Sequence, residues 1–111
     1  MYVETPQFYH IGIHYATPVD FGAVEKAIAA EALDWVRYAS NCYIVFTNSH
    51  PSVICGRLMA VPGMNDNTFM ILRCDLSGFA WLPGWIWEWL RRDRSQPNLL
   101  ATPRVLPPGL G

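Results

Sequence analysis

The chain has 111 residues, enough for one domain with a real core and too few to divide into two. Apolar residues make up 51% and aromatics 14%, which excludes a disordered chain, while charged residues reach only 15%. The formal net charge is −1 and Lys26 is the only lysine among eight basic residues, which argues against phosphate-driven duplex binding as a main activity.

In chain order, residues 8–15 read as a strand, with Tyr9, Ile11, Ile13 and Tyr15 on one face at period two. Thr17-Pro18-Val19-Asp20 predicts a helix start with Thr17 as cap, and the helix runs to about Ala32. Its inward stripe is Phe21, Val24, Ala27 and Ile28, with Glu25, Lys26 and Glu31 outside. Residues 33–39 and 42–47 form a hairpin through the turn Ser40-Asn41. Cys42 to Phe46 carries apolar residues on both faces, as a central strand does. Asn48, Ser49 and Pro51 supply the start of a second helix, whose inward residues are Val53, Ile54, Leu58 and Val61 and which Pro62-Gly63 stops. His50 reads as a loop residue. A polar turn over residues 64–67 leads to a fourth strand over 68–74.

The order β-α-β-β-α-β predicts an α+β, ferredoxin-like fold: an antiparallel four-stranded sheet with both helices on one side and the other side bare. A third helix, opened by Pro83 and running to about Arg92, is rich in tryptophan. Trp85 and Trp89 lie four apart, Ile86 and Leu90 form a neighbouring stripe, Trp87 is off it, and Trp81 precedes the start. Tryptophans bury large areas, so this segment either packs on its own sheet or anchors a partner. Trp81, Trp85, Trp87, Trp89, Arg91 and Arg92 are the candidate partner-binding residues. We therefore expect one domain over residues 1–94, including this helix. Residues 95–111, with Pro97, Pro103, Pro107 and Pro108, form an extended tail whose Leu99, Leu100, Val105 and Leu106 dock on this domain, a second copy or a partner.

Chemistry is sparse. Cys42, Cys55 and Cys74 are widely spaced and each sits in an apolar stretch, the pattern of buried thiols in a reducing compartment. His10 and His14 share a strand face with Phe8 and Gly12, and two histidines alone do not make a metal site. Neither a Cys-x-x-Cys pair, nor a glycine-rich phosphate loop, nor a nucleophile elbow is present, and Asp66, Asp75, Glu88 and Asp93 are scattered over turns and helix ends. We expect no catalytic residue, metal or cofactor. No stretch reads as a signal peptide or a membrane span, so the expected location is the cytoplasm.

Ile11-Gly12-Ile13-His14-Tyr15, the strand from Cys42 to Thr47 with a helix directly behind it, and the turn Asn65-Asp66-Asn67 before the last strand resemble small bacterial proteins grouped as SinR-like or Cas2-like. The resemblance covers residues 8–92 and implies a ferredoxin-like fold and a homodimer formed through the sheets. Some Cas2-like proteins are metal-dependent nucleases with an aspartate at the end of the first strand; the matching position here is His14. The expected function is a non-enzymatic protein-interaction module, a homodimer or a small inhibitor or adaptor in a phage-defence setting. The alternative is a Cas2-like nuclease or nucleic-acid-handling protein.

Overall fold

A computed structural model describes residues 2–75 and 82–92, with side chains from Thr5 onward. Strand β1 spans Tyr2–His14, helix α1 Phe21–Ala29, β2 Asp34–Ala39, β3 Cys42–Ser49, helix α2 Pro51–Met59, β4 Thr68–Cys74 and helix α3 Gly84–Arg91. A short 3-10 turn at Met64–Asp66 separates α2 from β4. The strands make one antiparallel sheet in the order β2-β3-β1-β4, so the first strand lies in the interior between the third and fourth. This is a small α+β fold with a four-stranded antiparallel sheet and three helices.

Alternation along β1 sets the two layers. Tyr9, Ile11 and Ile13 point to the side of α1 and α2, where Ile11 and Ile13 join Tyr43 and Val45 of β3 in the main core. Val24 and Ile28 of α1 and Ile54 and Leu58 of α2 close this core and are fully buried. Burying each such side chain contributes about 1.5–3 kcal/mol. Phe8 and His10 point to the opposite side, where α3 packs.

The helix starts depart from the sequence expectation for a local reason. Thr17 does not cap α1, which begins only at Phe21; its backbone N–H donates to Asn67 Oδ1 at 2.8 Å, tying the β1–α1 loop to the turn before β4. Asp20 caps instead, accepting from Gly22 N–H at 2.9 Å, so the helix begins at Phe21. Phe21 is consequently in the first turn and 46% exposed, stacked edge-on against Tyr15, and does not enter the core stripe. Asn48 and Ser49 extend β3, and His50 takes the cap of α2, its Nδ1 accepting from Ser52 N–H at 3.1 Å. Cys55, expected inside, is exposed. It follows Ile54 by one position, about 100° round the helix from the buried face. Cys42 and Cys74 are half-buried free thiols. Past α2, Gly63 at φ 87° takes the left-handed conformation that turns the chain into Met64–Asp66.

The largest correction concerns Glu31, expected on the outside. α1 ends at Ala29, two residues before Glu31, and the turn that follows directs Glu31 inward, where its side chain is 4% exposed. One carboxylate oxygen accepts from Ser49 Oγ at 2.6 Å and the other from Arg57 Nε of α2. The Glu31 carbonyl accepts from Thr47 Oγ1 at 2.5 Å, and Thr47 Oγ1 accepts in turn from Ser49 N–H at 2.9 Å. This network joins the exit of α1, the end of β3 and α2. The hydroxyl of Ser49, and then the Arg57 guanidinium, hold the Glu31 carboxyl below its ordinary 4.5 against the opposing effect of burial.

A carboxyl depressed in the folded state stabilises above its unfolded pKa and loses that contribution as pH falls through the folded value. Glu31→Gln removes the charge-assisted bonds and costs about 1.5–3 kcal/mol near neutral pH. In urea titrations the gap between wild type and Glu31→Gln is largest above pH 5 and narrows steadily below 4.5. A gap constant with pH would show that the carboxylate charge contributes nothing.

Candidate interaction surface

Helix α3 covers one half of the second sheet side. Ile86 is fully buried and Trp89 is 6% exposed, packed with Val36 of β2 and Ile44 of β3. Trp89 meets Phe8 edge-on with ring centres 6.1 Å apart, and Phe8 in turn lies 5.0 Å from Phe46. Leu82, Trp85 and Leu90 pack round the rim of the same cluster. At the helix end, Arg92 pairs with the buried Asp34 carboxylate at 3.6 Å. Arg91 stands 5.8 Å over the Trp87 ring, and this cation–π pair is on the outer side of the helix.

The candidate residues of this segment therefore separate. Trp85, Trp89 and Arg92 contact the chain's own sheet or rim, Trp87 and Arg91 contact each other, and Trp81 lies outside the described residues.

The other half of this sheet side is uncovered by any described residue. Met70 and Leu72 of β4 point there and are 57% and 56% exposed, although both sit in mid-strand. Beside them, on β1, come His10, Gly12 and His14, which pair across the ladder with Leu72, Met70 and Thr68. Between the two strands and Asn41 runs a groove of about 340 Å³, lined by His10, Gly12, His14, Thr68 and Met70 among others. Gly12 shapes its floor: a Cβ there would come to 3.5 Å from the His10 ring, so any side chain at this position would fill the space. Asn41 closes one end, its Nδ2 donating to Ile13 C=O at 3.0 Å.

His10 stands at the boundary between the covered and open halves. Its Nε2 hydrogen-bonds the Tyr38 hydroxyl, and the rings lie 5.6 Å apart. Burial lowers the His10 pKa below 6.5, so the imidazole is neutral at pH 7. Burial first, and the nearby Cys42 thiol next, push the Tyr38 hydroxyl up to about 12. The pair is an uncharged polar seam at the edge of the α3 cluster. His14 is exposed at the groove rim. Among the described residues no three of His, Cys, Asp and Glu come together as a group able to hold a metal ion. No described helix is long and apolar enough to cross a membrane.

The two sheet edges differ. β2 carries the charged residues Asp34 and Arg37, is irregular between Arg37 and Ala39, and is flanked by α3. Charges, a bulge and a covering helix are the devices that protect an edge from further pairing. β4 has a continuous register with β1 over all seven residues, contains no proline, and carries one charge, Arg73. Among the described residues its outer side has no strand neighbour.

Met70 and Leu72 were not singled out as site residues by the sequence, because Phe69-Met70-Ile71-Leu72 is a continuous apolar run. Such a run reads as a strand buried on both sides. Only the position of β4 at the edge, beyond the reach of α3, reveals which members are left open.

A histidine whose folded pKa is lowered lets the unfolded chain bind protons first, so its contribution to stability falls as pH drops below about 6.5 toward the folded value. In an NMR titration the His10 midpoint falls below 6.5. Tyr38→Phe strands the imidazole nitrogen and lowers stability by about 1 kcal/mol. A His10 midpoint at or above 6.5 contradicts this environment. Comparison of the chain with protein-family models, with curated proteins and with solved structures finds no match.

Proposed function

We propose that this chain is a non-enzymatic protein-interaction module of ferredoxin-like architecture, and that its partner is a second copy bound along the outer edge of β4. The strand order β2-β3-β1-β4 within a β-α-β-β-α-β chain supports the ferredoxin-like reading. The observation that carries the interaction is the contrast between edges: β2 bears charges, an irregular register and a covering helix, whereas β4 is regular throughout and bears the single charge Arg73. A regular, nearly uncharged edge strand offers a row of main-chain donors and acceptors to another strand.

A two-fold axis is the simplest closed solution for identical edges. Antiparallel pairing centred on Ile71 places Met70 opposite the partner's Leu72 on the same sheet side, an apolar cross-strand pair repeated twice. Pairing of this kind joins two four-stranded sheets into one of eight. The near-neutral chain, at net −1, adds little repulsion between copies. The low charged fraction, 15%, fits a surface partly covered by a partner. In this reading the tryptophans of α3 secure the domain and leave recognition to the β4 edge.

Sedimentation equilibrium tests the proposal. Wild type sediments at twice 12.6 kDa. Met70→Lys combined with Leu72→Lys sets like charges opposite each other across the axis and weakens association by about tenfold or more, with the thermal midpoint of the separated chain unchanged. A wild-type protein that stays at single-chain mass up to millimolar concentration overturns it. An unaltered dimer in the double variant moves the interface elsewhere.

A further inference from the structure

The groove beside Gly12 is lined by residues of a single chain, so its capacity to hold a ligand is independent of pairing along the β4 edge. We propose that it binds a small, uncharged, planar nitrogen heterocycle of one or two fused rings, laid on the Gly12 backbone and read by Nδ1 of His10.

The shape favours a flat molecule. Side chains on one side of a strand are two residues apart, so His10 and His14 bracket Gly12 with about 13 Å between their backbones. Gly12 adds no side chain, and its bare main chain forms a flat floor between them. Its ladder partner Met70 stands at one side and Asn41 at an end. The Met70 thioether is polarisable and packs well against the edge of a ring. A volume of about 340 Å³ lies at the lower end of the range for ligand pockets and suits a compact ring system.

Polarity selects among flat molecules. A Cβ at Gly12 would lie 3.9 Å from His10 Nδ1, so this nitrogen hangs over the floor. The other ring nitrogen, Nε2, is held by the Tyr38 hydroxyl, which orients the imidazole and leaves Nδ1 to a ligand. When Tyr38 donates, Nδ1 carries the proton and donates; when Tyr38 accepts, Nδ1 accepts. An azole, with one ring N–H and one bare ring nitrogen, satisfies either form. Asn41 is oriented by its Nδ2 donating to Ile13 C=O at 3.0 Å. Its Oδ1 has only a long contact of 3.6 Å from Cys42 Sγ and can accept from a ligand N–H.

The lining also sets the charge. None of the eight described residues around the groove is Asp, Glu, Lys or Arg, and the His10 imidazole is neutral at pH 7. A charged ligand would lose water there without gaining a counter-charge. The same lining disfavours nucleotides and nucleic-acid strands, whose phosphates are held by Lys and Arg. The ligand class is therefore a free, neutral azole or fused azole.

Titration of the isotope-labelled full chain with benzimidazole at pH 7, followed by NMR, tests the assignment. Saturable shifts are expected at the Gly12 amide, the Met70 methyl and His10 Nδ1. Benzimidazole carboxylate, the same rings with one negative charge, binds about tenfold or more weakly. Gly12→Val fills the floor and abolishes the shifts; the chain stays folded, because a Cβ there meets only ordinary contacts and β-branched residues suit strands. Met70→Ala, at an exposed position, weakens binding several-fold and serves as the second variant. Absence of saturable shifts, an unmoved His10 Nδ1, equal binding of the carboxylate, or unchanged binding by both variants overturns the proposal. Native mass is measured on the same samples. A protein of single-chain mass that binds benzimidazole upholds the groove and overturns edge pairing, and a dimer that binds none does the reverse.

Discussion

The position of β1 in the interior of the sheet is the constraint on which the rest of this molecule depends. Paired with β3 on one side and β4 on the other, β1 has to satisfy two packing layers at once, and its alternation assigns residues to each. Ile11 and Ile13 enter the two-helix core, while Phe8 meets Trp89 of the third helix. A shift of one residue in this register would exchange the layers, moving His10 and His14 into the core and the isoleucines out of it. The register is therefore strongly determined by the apolar pattern.

From that placement the asymmetry of the molecule follows. The crossovers through α1 and α2 put β2 and β4 at opposite edges. The helix after β4 returns to cover the β2–β3 half, so no described residue covers the β4 half of the same side. The open surface is flanked by His10 and Tyr38, a neutral hydrogen-bonded pair at the border between dry packing and the groove. Our functional proposal concerns this half: edge pairing uses the backbone of β4, with Met70 and Leu72 beside it.

Polar groups fasten the elements at places that a helical stripe or strand alternation does not report. Glu31 joins α1, β3 and α2 through Ser49 and Arg57, and Asn67 joins the β1–α1 loop to the turn before β4 through Thr17. Each explains a displaced boundary. Thr17 is held in the loop by Asn67 and the cap of α1 falls to Asp20, and Glu31 turns inward because the helix has ended before it.

The sequence by itself determined a small α+β chain with four strands and three helices, the boundaries of β4, the inward residues Val24, Ile28, Ile54 and Leu58, and the alternation of β1. These are local properties: hydrophobic period, proline and glycine positions, and turn chemistry act within a few residues. Tertiary structure alone decided that Glu31 is buried, that Cys55 is exposed, that Asp20 and His50 cap the helices, and that α3 closes on its own sheet over β2 and β3 and leaves Met70 and Leu72 open. The physical reason is the same in each case. A side chain's surroundings are set by which distant strand or loop the sheet order brings against it, and an apolar run such as Phe69 to Leu72 reads the same whether a neighbour covers it or not.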